Sequence, residues 1–193
     1  MDREAARDHV LDAAEELFYG RGIQAVGMDE IRSLSGVSLK RLYQLFATKD
    51  RLVEAYLERR DLSWRRRLAE HVESCDDPEG RIIAVFDWLE LWFGEPGFRG
   101  CAWINSYGEL GATSATVAAQ ARRHKQAFGR YLETLTDGAH LPRDLAGHLL
   151  LLAEGAMVTA GILRDPGTAA QARAAAGLLL ESARRTRPPA PAG

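Results

Sequence analysis

The chain has 193 residues, with 25 Lys and Arg against 27 Asp and Glu and a formal net charge of −2. That length accommodates one large domain or two small ones around a real core, and the near-balanced charge excludes a globally basic nucleic-acid coat protein while leaving room for a local basic patch. Cys75 and Cys101 are the only cysteines, too few for a disulfide framework and without metal-site spacing, so they are expected to be reduced thiols.

Residues 4–19 read as an amphipathic helix with Val10, Leu11, Ala14, Leu17 and Phe18 on its stripe and acids at its positive end. Gly20-Arg21-Gly22 stops it. From 27 to 46 the pattern is a short helix, a tight turn and a second short helix. Ile31 and Leu34 mark the first helix, and Val37 closes the turn behind them. Leu39, Leu42 and Phe46 share a face on the second. Gly36 stands where the chain leaves the first helix and positive φ is favoured, and Ser38 can cap the second. Lys40, Arg41, Tyr43 and Gln44 are left on the outer face, all hydrogen-bond donors and two of them cations. An apolar back and a front of long polar side chains is what a helix entering a DNA major groove requires.

Thr48 is a candidate N-cap for a fourth helix, running from about 48 to 71 through Leu52, Tyr56, Leu57, Trp64 and Leu68. Lys40, Arg41, Lys49 and Arg51 form a local basic patch interrupted only by Asp50. After the break at Asp77-Pro78, helices are expected over 79–93, from Cys101 to Leu110, and over 115–136, 142–164 and 168–184. Residues 185–193 are basic, then Pro-rich, and read as a disordered tail. No stretch alternates with period two long enough for a strand. The expected fold is all-α with about nine helices: a helix-turn-helix domain at 1–47 and a helical body at 48–184, with the fourth helix as connector.

The body is rich in aromatic side chains. Trp88, Trp92, Trp103, Tyr107 and Phe128, with Asn105 as polar anchor, are the candidate lining of a pocket for a small hydrophobic or aromatic ligand, which no cluster of Arg or Lys would steer toward phosphates. The competing reading is plain core packing. On 142–164 two apolar stripes imply burial on more than one side. Leu149, Leu152, Ala156 and Ala160 there, with Ala172, Ala176 and Leu179 on the small-residue last helix, are the candidate subunit interface. No catalytic or metal constellation is found. The histidines are scattered, with His124 and His148 expected at the surface or in caps, and there is no Gly-rich phosphate loop. No cofactor is implied. No apolar run reaches membrane-spanning length and Met1-Asp2-Arg3-Glu4 is unlike a signal peptide, so a cytoplasmic protein without a membrane partner is expected.

The run GVSLKRLYQLFATKD at 36–50 resembles the helix-turn-helix of the tetracycline-repressor (TetR) family, with its Gly-Val-Ser turn, Leu-Tyr pair, Phe, and Lys opening the next helix. The resemblance extends from about residue 10 to residue 57. Gly27 departs from it, standing where the family has a capping Thr or Ser, and so does Leu45, which stands where an aromatic residue or His is common. Gly100 to Asn105 resembles a pattern from one branch of the family. The resemblance implies a homodimeric, sequence-specific transcriptional regulator on double-stranded DNA. It implies a repressor that leaves a palindromic operator when a small effector binds, with the subunits joined in a four-helix bundle. It makes Tyr43 a phosphate contact. Ser38 and Lys49 suit phosphates because they open helices, and Lys40, Arg41 and Gln44 suit base edges. Two alternatives stay open: a DNA-binding activator or architectural protein without a ligand, and a helical small-molecule carrier or enzyme.

Overall fold

The computed structural model describes residues 2–186, in which there are nine α-helices and no strand. They are α1 (Arg3–Arg21), α2 (Met28–Ser35), α3 (Leu39–Leu45), α4 (Lys49–Glu73), α5 (Pro78–Phe93), α6 (Ala102–Leu110), α7 (Ala115–Gly138), α8 (Asp144–Leu163) and α9 (Thr168–Thr186). Local chemistry sets the ends. Asp2 accepts from the Ala5 amide and caps α1, and Asp77 accepts from the Gly80 amide and caps α5, with Pro78 in its first turn. Of the tail expected at 185–193, residues 185 and 186 close α9 and the remainder lies outside the described residues.

The chain forms two compact units. The first comprises residues up to Ser63 together with Cys101–His124, and the second Trp64–Gly100 together with the residues from Lys125 on. In the first unit, Val10, Leu11, Ala14 and Phe18 of α1 are buried with Ile31, Leu42 and Phe46 of the helix-turn-helix and Leu52, Tyr56 and Leu57 of α4. Phe18 meets Tyr56 edge to face at 5.7 Å. Burial pushes the Tyr56 phenol well above its ordinary value, so it stays protonated and neutral in this apolar setting. Charged pairs brace the outside of this core: Arg59 reaches Asp12 and Glu15, and Arg60 reaches Glu15 while its guanidinium lies 3.9 Å from the Tyr19 ring centroid.

His124, expected at the surface, is buried instead. Its ring stacks on Trp103 at 3.5 Å and 9°, and its Nδ1 lies 2.7 Å from an Asp61 carboxylate oxygen. A flat ring with two polar nitrogens satisfies both a stacking partner and a carboxylate, which its scattered sequence context does not reveal.

The second unit is built on Trp64. Its ring makes edge-to-face contacts with Trp88 (5.0 Å), Trp92 (5.7 Å) and Phe128 (5.2 Å), while Trp88 and Trp92, one turn apart on α5, stack at 5.5 Å. Helix α9 packs on α5 and α8, and Ala169, Ala172 and Ala176 are the buried side chains that permit the approach. Arg173 pairs with Asp87 and Arg184 with Glu79 across α9 and α5. Gly100, at φ 81°, lies against the α8 backbone; a Cβ on Gly161 would sit 2.9 Å from the Gly100 Cα, so this approach requires glycine. Trp64→Ala is expected to cost roughly 3–5 kcal/mol, because three aromatic neighbours lose their common partner and a cavity is left. Urea denaturation followed by circular dichroism measures it, and a midpoint unchanged from the unmodified chain would mean that the cluster is not the centre of this core.

Helix α8 corrects one expectation. By length and composition it is apolar enough to cross a membrane. Its apolarity has a nearer cause in the two stripes: Leu145, Leu149, Ala153, Met157 and Ala160 are buried within the chain, and Leu151, Val158 and Ile162 are exposed on the other flank.

Candidate nucleic-acid interface

The helix-turn-helix is set by three local features. Glu30 reaches back to the Gly27 amide at 3.1 Å, which supplies the side-chain half of a capping arrangement at a residue that brings no hydroxyl of its own. That amide and the Arg21 guanidinium, 2.5 Å away, hold the Glu30 carboxyl below its ordinary range. Gly36 takes φ 68° and ψ 10° at the end of α2, the left-handed turn that disfavours a Cβ. Ser38 Oγ accepts from the Arg41 amide at 3.2 Å and starts α3, and Thr48 does the same for α4 through the Arg51 amide.

The two short helices bury a narrower face than the periodicity implies. Ile31 is fully buried, but the residue beside it is Ser35, whose hydroxyl donates to the Arg32 carbonyl, and Leu34 is exposed. The 100° step explains this: position 35 lies 40° from position 31, and position 34 lies 60° away on the other side. On α3, Leu42 is fully buried while Leu39, its first residue, is 47% exposed. Leu39 therefore joins the front of the helix, one turn before the equally exposed Tyr43. It is a functional candidate that sequence reasoning assigned to the core; its i, i+4 relation to Tyr43 was the available signal.

The predicted DNA-facing residues lie close together in sequence and in the fold. Ser38, Lys40, Tyr43 and Gln44 are exposed on or beside α3, and Arg41 is half-buried on it. Lys49 opens α4, half-buried, with its Nζ 5.9 Å from the Phe18 ring centroid. A cation held against an aromatic face with its ammonium at a helix start is suited to a phosphate oxygen.

The other predicted sites divide between the units. Trp88, Trp92 and Phe128 are buried around Trp64 in the second, and of these three Phe128 lines a cavity of about 280 Å³ bordered also by Trp64, Leu68 and Tyr131 and, against the expectation of a lining without Arg or Lys, by Arg65 and Arg130. Tyr131 is pushed up to about 12, by burial and then by the Glu73 carboxylate, and so remains a neutral phenol. Trp103, Asn105 and Tyr107 belong to the first unit, Trp103 buried on His124 and the other two exposed. Of the predicted subunit contacts, Leu149, Ala156, Ala160, Ala172 and Ala176 are buried inside the chain, and Leu152 and Leu179 are half-buried. The exposed large apolar side chains of the same two helices are Leu151, Val158, Ile162, Leu163 and Leu178. Among the described residues no group of His, Cys, Asp or Glu could hold a metal ion, and Cys75 and Cys101 form no disulfide.

Comparison with known proteins accords with this geometry. The family model of the bacterial regulatory proteins of the tetR family matches residues 10–56. The chain is 30% identical to a TetR-family transcriptional regulator from Streptomyces coelicolor, superposing with a TM-score of 0.84 over 93% of this chain and 90% of that one. It is 33% identical over 126 residues to the transcriptional activator FasR of Mycolicibacterium smegmatis, over 63% of this chain and 54% of that protein. It is also 27% identical over 106 residues to the transcriptional repressor NemR of Escherichia coli, over 54% of this chain and 53% of that protein. The chain spans less than two thirds of the length of these curated relatives.

Proposed function

The chain belongs to the TetR family of DNA-binding transcriptional regulators, and from that premise we propose that it is a homodimeric repressor released from a palindromic operator by a small hydrophobic or aromatic effector. The observation that carries the reading is the front of α3: Lys40, Tyr43 and Gln44 exposed, Leu42 fully buried behind them, and Lys49 at the start of the next helix. Arg and Lys suit guanine edges, Gln suits adenine, and an exposed Leu39 suits a thymine methyl. Ser38, Tyr43 and Lys49 take phosphates and fix the register. Two such fronts on a dimer would engage successive major grooves one helical turn apart, and a dimer occupying a promoter excludes polymerase. The fold supports a cytoplasmic protein only in that its work is on DNA.

The exposed stripe Leu151, Val158, Ile162 and Leu178, with the uncrowded Gly155 between the first two, supports a subunit face on α8 and α9. The aromatic-walled cavity beside Trp64 and Phe128 supports effector binding between α4 and α7, with Trp88 and Trp92 packed behind. An effector acts by binding the off-DNA shape better than the on-DNA shape. The likeness to the activator FasR favours a second reading, in which the same dimer recruits polymerase from its site. Selection of bound fragments from a random duplex pool tests the shared core of both readings. A palindromic site bound with a steep salt dependence is expected, and placing that site across a promoter, or upstream of it, distinguishes repression from activation. Recovery of unrelated fragments at a shallow salt slope would overturn the sequence-specific reading.

A further inference from the structure

The first unit contains more than the helix-turn-helix and the start of α4. It also contains α6, whose C-terminal turn grips the loop between α1 and α2. The Gln24 amide donates to a Glu109 carboxylate oxygen at 2.9 Å, and the Gln24 side-chain amide donates to the Glu109 backbone carbonyl at 2.7 Å. The residues are 85 apart in sequence, and each supplies one backbone and one side-chain group. Gly22 makes room for the carboxylate. Its φ is 90°, and a Cβ there would lie 3.0 to 3.2 Å from the Glu109 carboxyl atoms. Conformation and space therefore both call for glycine at this turn.

The gripped loop leads directly to the DNA-reading elements. Two residues after Gln24, Val26 is buried, and Gly27 then begins α2 with its amide on Glu30. Glu30 also pairs with Arg21 at the end of α1. The loop is thus held at both ends: at residues 22–24 by Glu109 and at residue 27 by Glu30. Helix α2 is eight residues long and hands over to α3 through the single left-handed residue Gly36. A shift of the loop therefore carries into the angle of α3. At the other end of α6, Trp103 lies on His124, which contacts Asp61 of α4. Together these contacts fix α6 as a strut against α4 and α7.

We propose that Glu109 is a positioning residue for DNA recognition: through Gln24 it sets the α1–α2 loop that leads into α2 and α3. This goes beyond the contacts of the α3 front, since Glu109 is an anion with no place against a phosphate. Its charge makes the test decisive. By charge alone, Glu109→Ala removes a repulsive anion and tightens binding to any duplex. By positioning, it weakens binding to the selected duplex.

The expected result is that Glu109→Ala binds the duplex recovered from the random pool about tenfold more weakly, the size of a lost charge-assisted hydrogen bond, with an unchanged salt slope. Glu109→Gln, whose amide oxygen still accepts from the Gln24 amide, is expected to recover most of the loss. Gln24→Ala, which removes the second bond of the pair and keeps the backbone amide that Glu109 holds, is expected to weaken binding to the same duplex as well. Hydrogen exchange of the Gln24 amide is expected to speed up in Glu109→Ala and not in Glu109→Gln. Binding of Glu109→Ala within twofold of the unmodified chain, or tighter binding, would each overturn the proposal. If Glu109→Gln were as weak as Glu109→Ala with the same fall in thermal midpoint, the role would be structural and the proposal would fail too.

Discussion

Val158→Arg is expected to sediment as a monomer with the helical content of the unmodified chain. Val158 is 38% exposed, and it shares one face of α8 with Leu151, Gly155 and Ile162, at steps of three and four residues. Leu178 of α9 is likewise exposed. Apolar side chains of this size gathered on one face of a small domain mark a contact surface. A guanidinium placed there stays solvated in the monomer and is stripped of water in a dimer. An unpaired buried charge costs roughly 3 kcal/mol or more, which weakens the dimer by about a hundredfold or more.

The companion substitutions Ala156→Arg and Ala176→Arg are expected to behave differently. Both alanines are covered by the chain's own helices. Arginine at either site forces α8 or α9 off its neighbours, so the helical signal and the cooperative unfolding transition are lost along with the dimer. Sedimentation velocity with circular dichroism on the same samples separates the two outcomes. If Val158→Arg remains dimeric at micromolar concentration, the subunit face lies elsewhere.

That contrast shows what periodicity contains. The α8 sequence announces two apolar flanks, and both exist. Which flank is covered by the chain's own helices depends on α5 and α9, whose packing is not written in a one-dimensional repeat. The ends of the helices were legible because they rest on short-range chemistry: Gly36 in its left-handed turn, Ser38 and Thr48 on nearby amides. The front of α3 was legible for the same reason, being the remainder after Leu42 and Phe46 turn inward. The burial of His124 and the grip of Glu109 on Gln24 were not legible. Each joins residues far apart in sequence, and each uses polar groups, which carry no hydrophobic period. The aromatic middle divided accordingly. Trp88 and Trp92 announced their stacking by a four-residue step, whereas the separation of Trp103 from them into the other unit had no local sign.

The two cations at the reading face should differ in kind. Lys49→Ala is expected to weaken binding to every duplex by a similar factor and to lower the salt slope by about one unit, because one phosphate neutralisation is lost. Its Nζ opens α4 and rests over the Phe18 ring, so it presents a fixed positive charge with no base-edge geometry. Arg41→Ala is expected to cost roughly 1–3 kcal/mol on the selected site and far less on unrelated duplexes, relaxing preference at one position in each half-site. Arg41 lies one residue before the fully buried Leu42, and its own amide is tied to Ser38. Backbone and cap therefore fix where the guanidinium fork starts, which is the condition for a bidentate contact to discriminate between bases. Binding isotherms at several salt concentrations, on the selected duplex and on a scrambled one, give both quantities at once. Should the two variants lose affinity equally on both duplexes with the same change in slope, Arg41 is a phosphate contact, and the sequence preference passes to Lys40 and Gln44 on the exposed front.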